Sequence, residues 1–376
     1  MENTDTFEIF LTAPPGLEQT LLREAKELGF AEPKTVPGGV TVQGGWPDVW
    51  RANLCLRGAA RVLARIGSFR AFHLAQLDKR ARKFPWSEVL RADVPVRVET
   101  TTNKKSKIYH AGAATQRIER AITEELGAEI SAEAAITIKL RIEDNLCTFS
   151  VDTSGEGLHK RGHKTAVGKA PMRENLAALF LRDCGYTGTE PVVDPMCGSG
   201  TFVIEAAEIA RGLLPGRSRN FAFEQLATFD ADAWAAMRDV TTTEDTEVRC
   251  YGSDRNAGAV EMAAANAERA GVADLVQITQ QAVSDLTPPD LGEGEQPGLV
   301  IVNPPYGARI GNKKLLYALY AALGETLKSR FSGWRVGIVT SETSLAKATD
   351  LPFLPYGPPV AHGGLKIRLF KTAPLP

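Results

Sequence analysis

The sequence predicts an α/β protein: a doubly wound parallel sheet over residues 171–376, preceded by an N-terminal α+β region. Three observations carry the prediction. From residue 171 onward short apolar runs alternate regularly with helical patterns, the order that strand–helix–strand crossovers require. Ahead of residue 152 strands and helices are mixed without that order. At 376 residues the chain has room for two to three domains of about 150 residues, so one small module is excluded.

The elements follow in order. Residues 7–13 (FEIFLTA) read as a strand, Gly16–Leu28 as a helix, Gly39–Gly44 as a strand, Pro47–Leu54 as a helix and Arg61–Phe69 as a strand. Residues 1–70 are thus one α+β subdomain. His73–Phe84 is an amphipathic basic helix, Val94–Thr101 alternates, Ala111–Leu126 is helical, and ITIKLRIEDNLCTFSVD is two alternating runs around an Asp-Asn turn. That makes residues 71–152 a second α+β unit. Residues 153–170 (TSGEGLHKRGHKTAVGKA) are basic and poor in apolar side chains, which predicts an exposed linker. Beyond it come helix Arg173–Arg182, strand Pro191–Val193, helix Thr201–Ala210, strand Val248–Ser253, helix Ala257–Ala270 and strand Val276–Gln281. Strand Leu299–Val302, helix Lys314–Ser329 and strand Arg335–Thr340 complete the alternation.

Composition narrows the class. Hydrophobic content of 43% and charged content of 24% are those of a folded globular chain, which excludes collagen, coiled coil and wholesale disorder. With 44 Lys+Arg against 45 Asp+Glu the net charge is −1, yet Arg51–His110 holds 14 basic residues against 4 acidic. The front half therefore has the charge to hold phosphates. The N-terminal residues MENTDTFEIF lack a signal sequence and no apolar run approaches the roughly 20 residues of a membrane span, so a cytoplasmic location is expected. Five scattered cysteines without a C-x-x-C pair predict reduced thiols.

The strongest local signal is Asp194-Pro-Met-Cys-Gly198-Ser199-Gly200-Thr201, between a predicted strand and a predicted helix. Two glycines let backbone approach a ligand at a helix N-terminus, whose free N–H groups favour an anionic group. A P-loop would need a lysine after Gly200, and a dinucleotide fingerprint would need a small residue at Val203. The methionine half of S-adenosylmethionine fits instead, with Asp194 as the acidic partner. The next strand ends YGSD, placing Asp254 where a carboxylate accepts both hydroxyls of a ribose; alone, it would serve equally as an N-cap.

A third strand, Leu299–Val302, stops at Asn303-Pro304-Pro305-Tyr306-Gly307. Two prolines neither extend a strand nor donate hydrogen bonds, so they fix a rigid corner. Such a corner presents acceptors, the Asn303 amide oxygen and the Pro304 carbonyl, to an amine. An exocyclic amino group on a nucleobase is a poor nucleophile because its lone pair is delocalised. Two acceptors bonding its hydrogens draw it toward tetrahedral geometry for in-line attack on a sulfonium methyl. Tyr306 is placed to stack on the flat ring. As a bare loop the same residues would be a turn with a packed tyrosine.

In these motifs and in the order of its elements, residues 171–376 resemble the Rossmann-like class I S-adenosylmethionine-dependent methyltransferases that carry the N/D-P-P-Y motif of amino-group methylation. APMRENLAALFL is similar to the helix that precedes the glycine turn in that family, and LKIRLFK to its antiparallel closing hairpin. LTAPPGLEQTLLREAKELGF, KKSKIYHAGAATQRIERAI and FSVDTSGEGLHKRGHK are similar to the ferredoxin-like plus THUMP RNA-binding region of RNA guanine-N2 methyltransferases, above all the bacterial enzymes acting on 23S rRNA, then the tRNA enzymes of the same build. The resemblance implies that Asp194, Gly198, Ser199, Gly200 and Thr201 hold the methionyl part, Asp254 the ribose, and Asn303, Pro304 and Tyr306 the target base, with Asn303 also lining the cofactor. Ala282 stands where the family often has an acid for the adenine amino group; Ala308 stands where relatives often carry glutamate; and Leu213–Glu247 is an insertion that either encloses substrate or serves as scaffold.

Lys104, Lys105, Lys107, Lys160 and Arg161 fall in predicted loops, where cations neutralise RNA phosphates with little sequence reading. His159 and His163 have no further ligand nearby in sequence, so no metal is expected. Cys197 reads as packing, since attack on a ring carbon has no use for Asn-Pro-Pro-Tyr. The implied function is methyl transfer to a guanine N2 in structured RNA, with rRNA the favoured partner, tRNA next, and no membrane or obligate protein partner. Its rivals are an adenine-N6 methyltransferase on DNA or RNA, a non-catalytic RNA-binding assembly factor and a protein-amide methyltransferase.

Overall fold

A computed structural model describes residues 6–164, 172–239, 245–292, 296–307 and 313–376; the linker's residues 165–170 and Ala308 lie outside them. The chain divides into two compact units: Met1–Ala13, Leu21–Leu158 and Arg219–Val240 form the first, and Pro14–Thr20, His159–Ser218 and Thr241–Pro376 the second.

The first unit contains β1 (Phe7–Thr12), most of α1 (Glu18–Glu27), β2 (Ala31–Val36), β3 (Gly39–Gly44), α2 (Trp46–Cys55), β4 (Arg61–Arg70), α3 (Leu74–Ala81), β5 (Val96–Thr102), α4 (Ala111–Leu126), β6 (Ile136–Glu143) and β7 (Leu146–Asp152). Its strands form one sheet in the order β2-β3-β1-β4-β7-β6-β5. The two α+β segments expected from sequence share that sheet, because β4 pairs antiparallel with β7 from Leu63↔Asp152 to Arg70↔Leu146. Along β6 the buried Ile136, Ile138, Leu140 and Ile142 alternate with outward Lys139, Arg141 and Glu143. The sheet thus keeps one face on a core, which α4 meets with Ala114, Ile118, Ala121 and Ile122 at helical spacing.

Two local differences from the sequence reading have physical causes. β2 was not expected: it is a largely uncovered strand at the sheet edge, with Pro33 and a register shift between Ala31 and Lys34 destroying its alternation. The basic helix expected to reach Phe84 stops at Ala81, because Phe84 precedes a proline and turns with Trp86 into an aromatic cluster around Phe149.

The second unit begins its regular structure with α5 (Glu174–Asp183), β8 (Val192–Asp194) and α6 (Thr201–Ala210). The chain then contributes residues 219–240 to the first unit, including α7 (Ala231–Arg238). Residues 221–234 of the insertion pack into the core of that unit. Phe221 and Phe223 stack with centroids 5.3 Å apart, Trp234 meets Phe223 edge-on at 5.0 Å, and Trp50 of α2 lies 6.1 Å from Phe223. All four rings are buried.

The fold returns to the second unit with β9 (Cys250–Asp254), α8 (Ala257–Ala270), β10 (Val276–Gln280), β11 (Leu299–Val302), α9 (Lys313–Arg330), β12 (Arg335–Thr340), α10 (Thr343–Ala348), β13 (Val360–His362) and β14 (Leu365–Lys371). The sheet order is β10-β9-β8-β11-β12-β14-β13, parallel except for the β13–β14 hairpin that closes one side. Order reverses between β8 and β11. In such sheets the crevice beyond the carboxyl ends at this switch point is where ligands bind.

The linker departs from expectation. Thr153 and Ser154 are buried and bonded to Asn53, while Arg161 and His163 are buried in the second unit. Arg161 pairs with Glu205 at 3.2 Å, and the largely buried Lys164 meets Glu174 at 3.3 Å. A segment poor in apolar residues packs inside when each charge has a partner built for it.

Candidate active site

Three strand ends converge on the switch point. Asp194 ends β8; on one side it pairs in register with Gly252 of β9, so Asp254 stands two residues further out. On the other side Val193 pairs with Val300 of β11, which aligns Asp194 with Ile301 and puts Asn303 two residues beyond. With strands about 4.8 Å apart, Asp254 and Asn303 flank Asp194 on neighbouring strands.

The turn after β8 is held by its own backbone. The Cys197 N–H donates to the Ser253 carbonyl at 2.9 Å and the Gly200 N–H to the Cys197 carbonyl at 2.8 Å. Asp194 accepts from the Met196 N–H at 3.1 Å, and Asp254 accepts from the N–H groups of Gly198 and Asn256 at 3.1 and 2.9 Å. Gly198 and Gly200 both have left-handed backbones, with φ of 51° and 82°. They need glycine for different reasons. A Cβ on Gly200 would press on Ala263 of α8 at 3.2 Å, whereas one on Gly198 would point into open space, where a ligand can lie against the backbone. The cap of α8 is Asn256, which accepts from the Gly258 N–H, so Asp254 is not spent on capping.

The electrostatics ask for a cation. Asp194 is 2% exposed, and burial first, then the neighbouring Asp254, push its pKa up to about 8. A buried acid beside a second acid suits a cationic ligand group. Burial first, then the same two acids, push the Cys197 thiol pKa well up, which keeps it protonated and accords with a packing role.

At the corner after β11, the Asn303 Oδ1 is buried and makes no hydrogen bond with the described residues. An unmet buried acceptor costs about 1–3 kcal/mol, which a bound donor recovers. Pro304 is buried and Tyr306 is 8% exposed, with burial raising its hydroxyl pKa. The Gly307 N–H donates to Glu342 Oε1 at 3.2 Å, and the Glu342 N–H donates to Thr340 Oγ1, which also receives the Tyr320 hydroxyl. The corner is therefore braced from beyond β12.

Several side chains stand elsewhere than the sequence predicts. Arg161, expected to face phosphate, is 2% exposed and its guanidinium is committed to Glu205 of α6. The hydroxyl of Thr201 accepts from Lys164 Nζ at 2.7 Å, so its side chain serves the buried network while its backbone opens α6. Ser199 is buried, its carbonyl held by Asn266 Nδ2 at 3.0 Å. Ala282 is exposed after β10 and offers backbone only. His163 lies 3.7 Å from Glu208, and burial lowers its pKa. Lys104, Lys105 and Lys107 are exposed in the first unit and Lys160 in the second. Lys164 and Glu342 were missed by sequence reasoning. Glu342 follows a strand end as Asn303 does, which was the available signal.

The strand order defines a class I methyltransferase fold, with a turn, two acids and an amide aligned at its switch point. Residues 161–352, half of the chain, match the RMKL-like methyltransferase domain family, to which this protein belongs, and residues 8–63 match the RlmL ferredoxin-like domain. A Synechocystis protein named as a putative RNA methyltransferase is 30% identical over 373 residues, covering 96% of this chain and 95% of its own. Among solved structures, SMU.472, named as a putative methyltransferase complexed with SAH, superposes with a TM-score of 0.88 at 27% identity over 99% of both chains. A predicted N6-adenine-specific DNA methylase from Listeria monocytogenes superposes at 0.86 with 29% identity, over 98% of this chain and 96% of its own.

Proposed function

We propose that the protein methylates the exocyclic N2 of a guanine in structured RNA, most favourably 23S rRNA, with S-adenosylmethionine as donor. The observation that carries this reading is the buried, unmet Asn303 Oδ1 at the end of β11, beside the acid-lined turn. The RNA reading is supported by the Synechocystis relative's name and by the basic front half.

When bound, the cofactor supplies an electrophilic methyl on a sulfonium. Asp194 holds its ammonium, the backbone at Gly198 and Gly200 lies against the methionyl part, and Asp254 accepts from the ribose hydroxyls. Asn303 Oδ1 and the Pro304 carbonyl accept the two amine hydrogens of the base, which turns the nitrogen lone pair toward the methyl. Because the Tyr306 ring is packed inside, offering its face to the base takes a shift of the corner. After transfer the amine proton leaves to solvent or to water at Asn303.

Adenine N6 is the second reading, favoured by the name of the Listeria neighbour; the same acceptors grip either amine. Mapping methylated nucleosides in total RNA and DNA from cells with and without the gene decides. Loss of N2-methylguanosine from rRNA supports the first reading, and loss of N6-methyladenosine the second.

A further inference from the structure

We propose that one corner of the first unit is a stacking platform for unpaired RNA bases, with Phe72 and Tyr109 supplying the rings and Lys104, Lys105 and Lys107 the phosphate contacts. The proposal rests on the RNA reading above and narrows the contacted RNA to a single-stranded segment.

Three segments build the corner. The β4–α3 junction is tied to the β6–β7 turn by the Ala71 N–H, which donates to the Asn145 carbonyl at 2.9 Å, and by Arg70 Nη1, which donates to the Asp144 carbonyl at 3.0 Å. The β5–α4 loop joins them through the Lys107 N–H, which donates to Asn145 Oδ1 at 2.8 Å. That loop is also fixed within itself. Asn103 Oδ1 accepts from the Ser106 N–H at 3.0 Å and from its hydroxyl at 2.7 Å, and the Thr102 hydroxyl donates to the Ile108 carbonyl at 2.6 Å.

Burying Ser106 and Ile108 as anchors leaves Lys104, Lys105, Lys107 and Tyr109 outside. On this frame Tyr109 is 64% exposed and Phe72 43% exposed. Lys107 Nζ stands 5.7 Å from the Phe72 centroid, and the Tyr109 and His110 rings are 4.4 Å apart.

Large rings gain by leaving water, at about 25 cal/mol per Å² of apolar surface, so two ordered, hydrogen-bonded segments that hold one ring each out among cations suit a ligand that is flat and anionic. RNA with splayed bases is both. The exposed acids here, Asp144 and Glu143, are offset locally by Arg70, Arg141 and the three lysines. A duplex keeps its bases stacked on one another and cannot use the rings.

The test uses the full chain with a fluorescein-labelled ten-nucleotide oligoadenylate and a blunt RNA duplex of the same length, read by anisotropy across a salt series. The oligoadenylate should bind more tightly than the duplex. Replacing both rings (Phe72→Leu with Tyr109→Leu) should weaken oligoadenylate binding at least tenfold, about 1.4 kcal/mol, with the salt slope unchanged, while Tyr109→Trp retains affinity. Replacing all three lysines (Lys104→Gln, Lys105→Gln, Lys107→Gln) should lower the slope by about 2. An aromatic double variant that binds as the parent does, beside a lysine variant with a reduced slope, overturns the platform and keeps the RNA reading. If neither variant changes binding, the RNA contact of this unit falls too.

Discussion

Cofactor affinity should rise with pH, because Asp194, the acid proposed to hold the ammonium, has its pKa raised in the free protein. Burial and the adjacent Asp254 push the Asp194 pKa up to about 8. In the neutral range binding must therefore expel a proton. At pH 7 the protonated form outnumbers the ionised one by about tenfold, so ionising Asp194 withholds about 1.4 kcal/mol from binding; at pH 6 the cost is about twice that. Affinity for S-adenosylhomocysteine, the stable product, should then increase about tenfold per pH unit from pH 5.5 to 7.5, a window that keeps the ligand's ammonium charged. Isothermal titration in two buffers of different ionisation enthalpy reads the proton directly, and near pH 6.5 about one should be released per ligand bound. Asp194→Asn should bind weakly with no slope. A flat profile for the parent protein, or a slope that survives Asp194→Asn, refutes the reasoning.

Two further outcomes follow from single contacts. Glu342→Ala removes the acceptor that braces the Gly307 N–H and should lower turnover roughly tenfold to a hundredfold with cofactor affinity kept. Glu342→Gln retains an acceptor oxygen and should recover most of it, as steady-state kinetics with separate KM and kcat will report. Arg161→Ala removes a buried ion-pair partner of Glu205, whose side chain is 2% exposed, and should destabilise the protein by about 3–5 kcal/mol, seen as a lower Tm, while the salt slope of RNA binding stays as in the parent protein.

What sequence could reveal was set by how far each partner lies along the chain. The placement of Asp194, Asp254 and Asn303 was legible because each ends or directly follows a recognisable strand, and the alternating grammar alone puts strand ends on one edge of the sheet. The acceptor role proposed for Asn303 likewise draws only on local chemistry, a polar side chain before two prolines. Arg161 was misread because its partner Glu205 is 44 residues away and nothing local marks the pair. Lys164 and Glu342 escaped for the same reason, since Thr201 and Gly307 are 37 and 35 residues from them. β2 escaped for another: an edge strand with a proline and a bulge satisfies its backbone on one side and keeps no periodicity. The excursion of residues 219–240 showed its aromatics plainly, but only the fold tells that they pack with Trp50.

The most direct measurement is single-turnover methylation of rRNA from cells lacking the gene, using purified protein and its Asn303→Ala variant, followed by mass analysis of the nucleosides. N2-methylguanosine is expected with the parent protein, and a rate lower by orders of magnitude with the variant at undiminished S-adenosylhomocysteine affinity. A variant as fast as its parent, or a methyl group found on a carbon or a ribose oxygen, would contradict it.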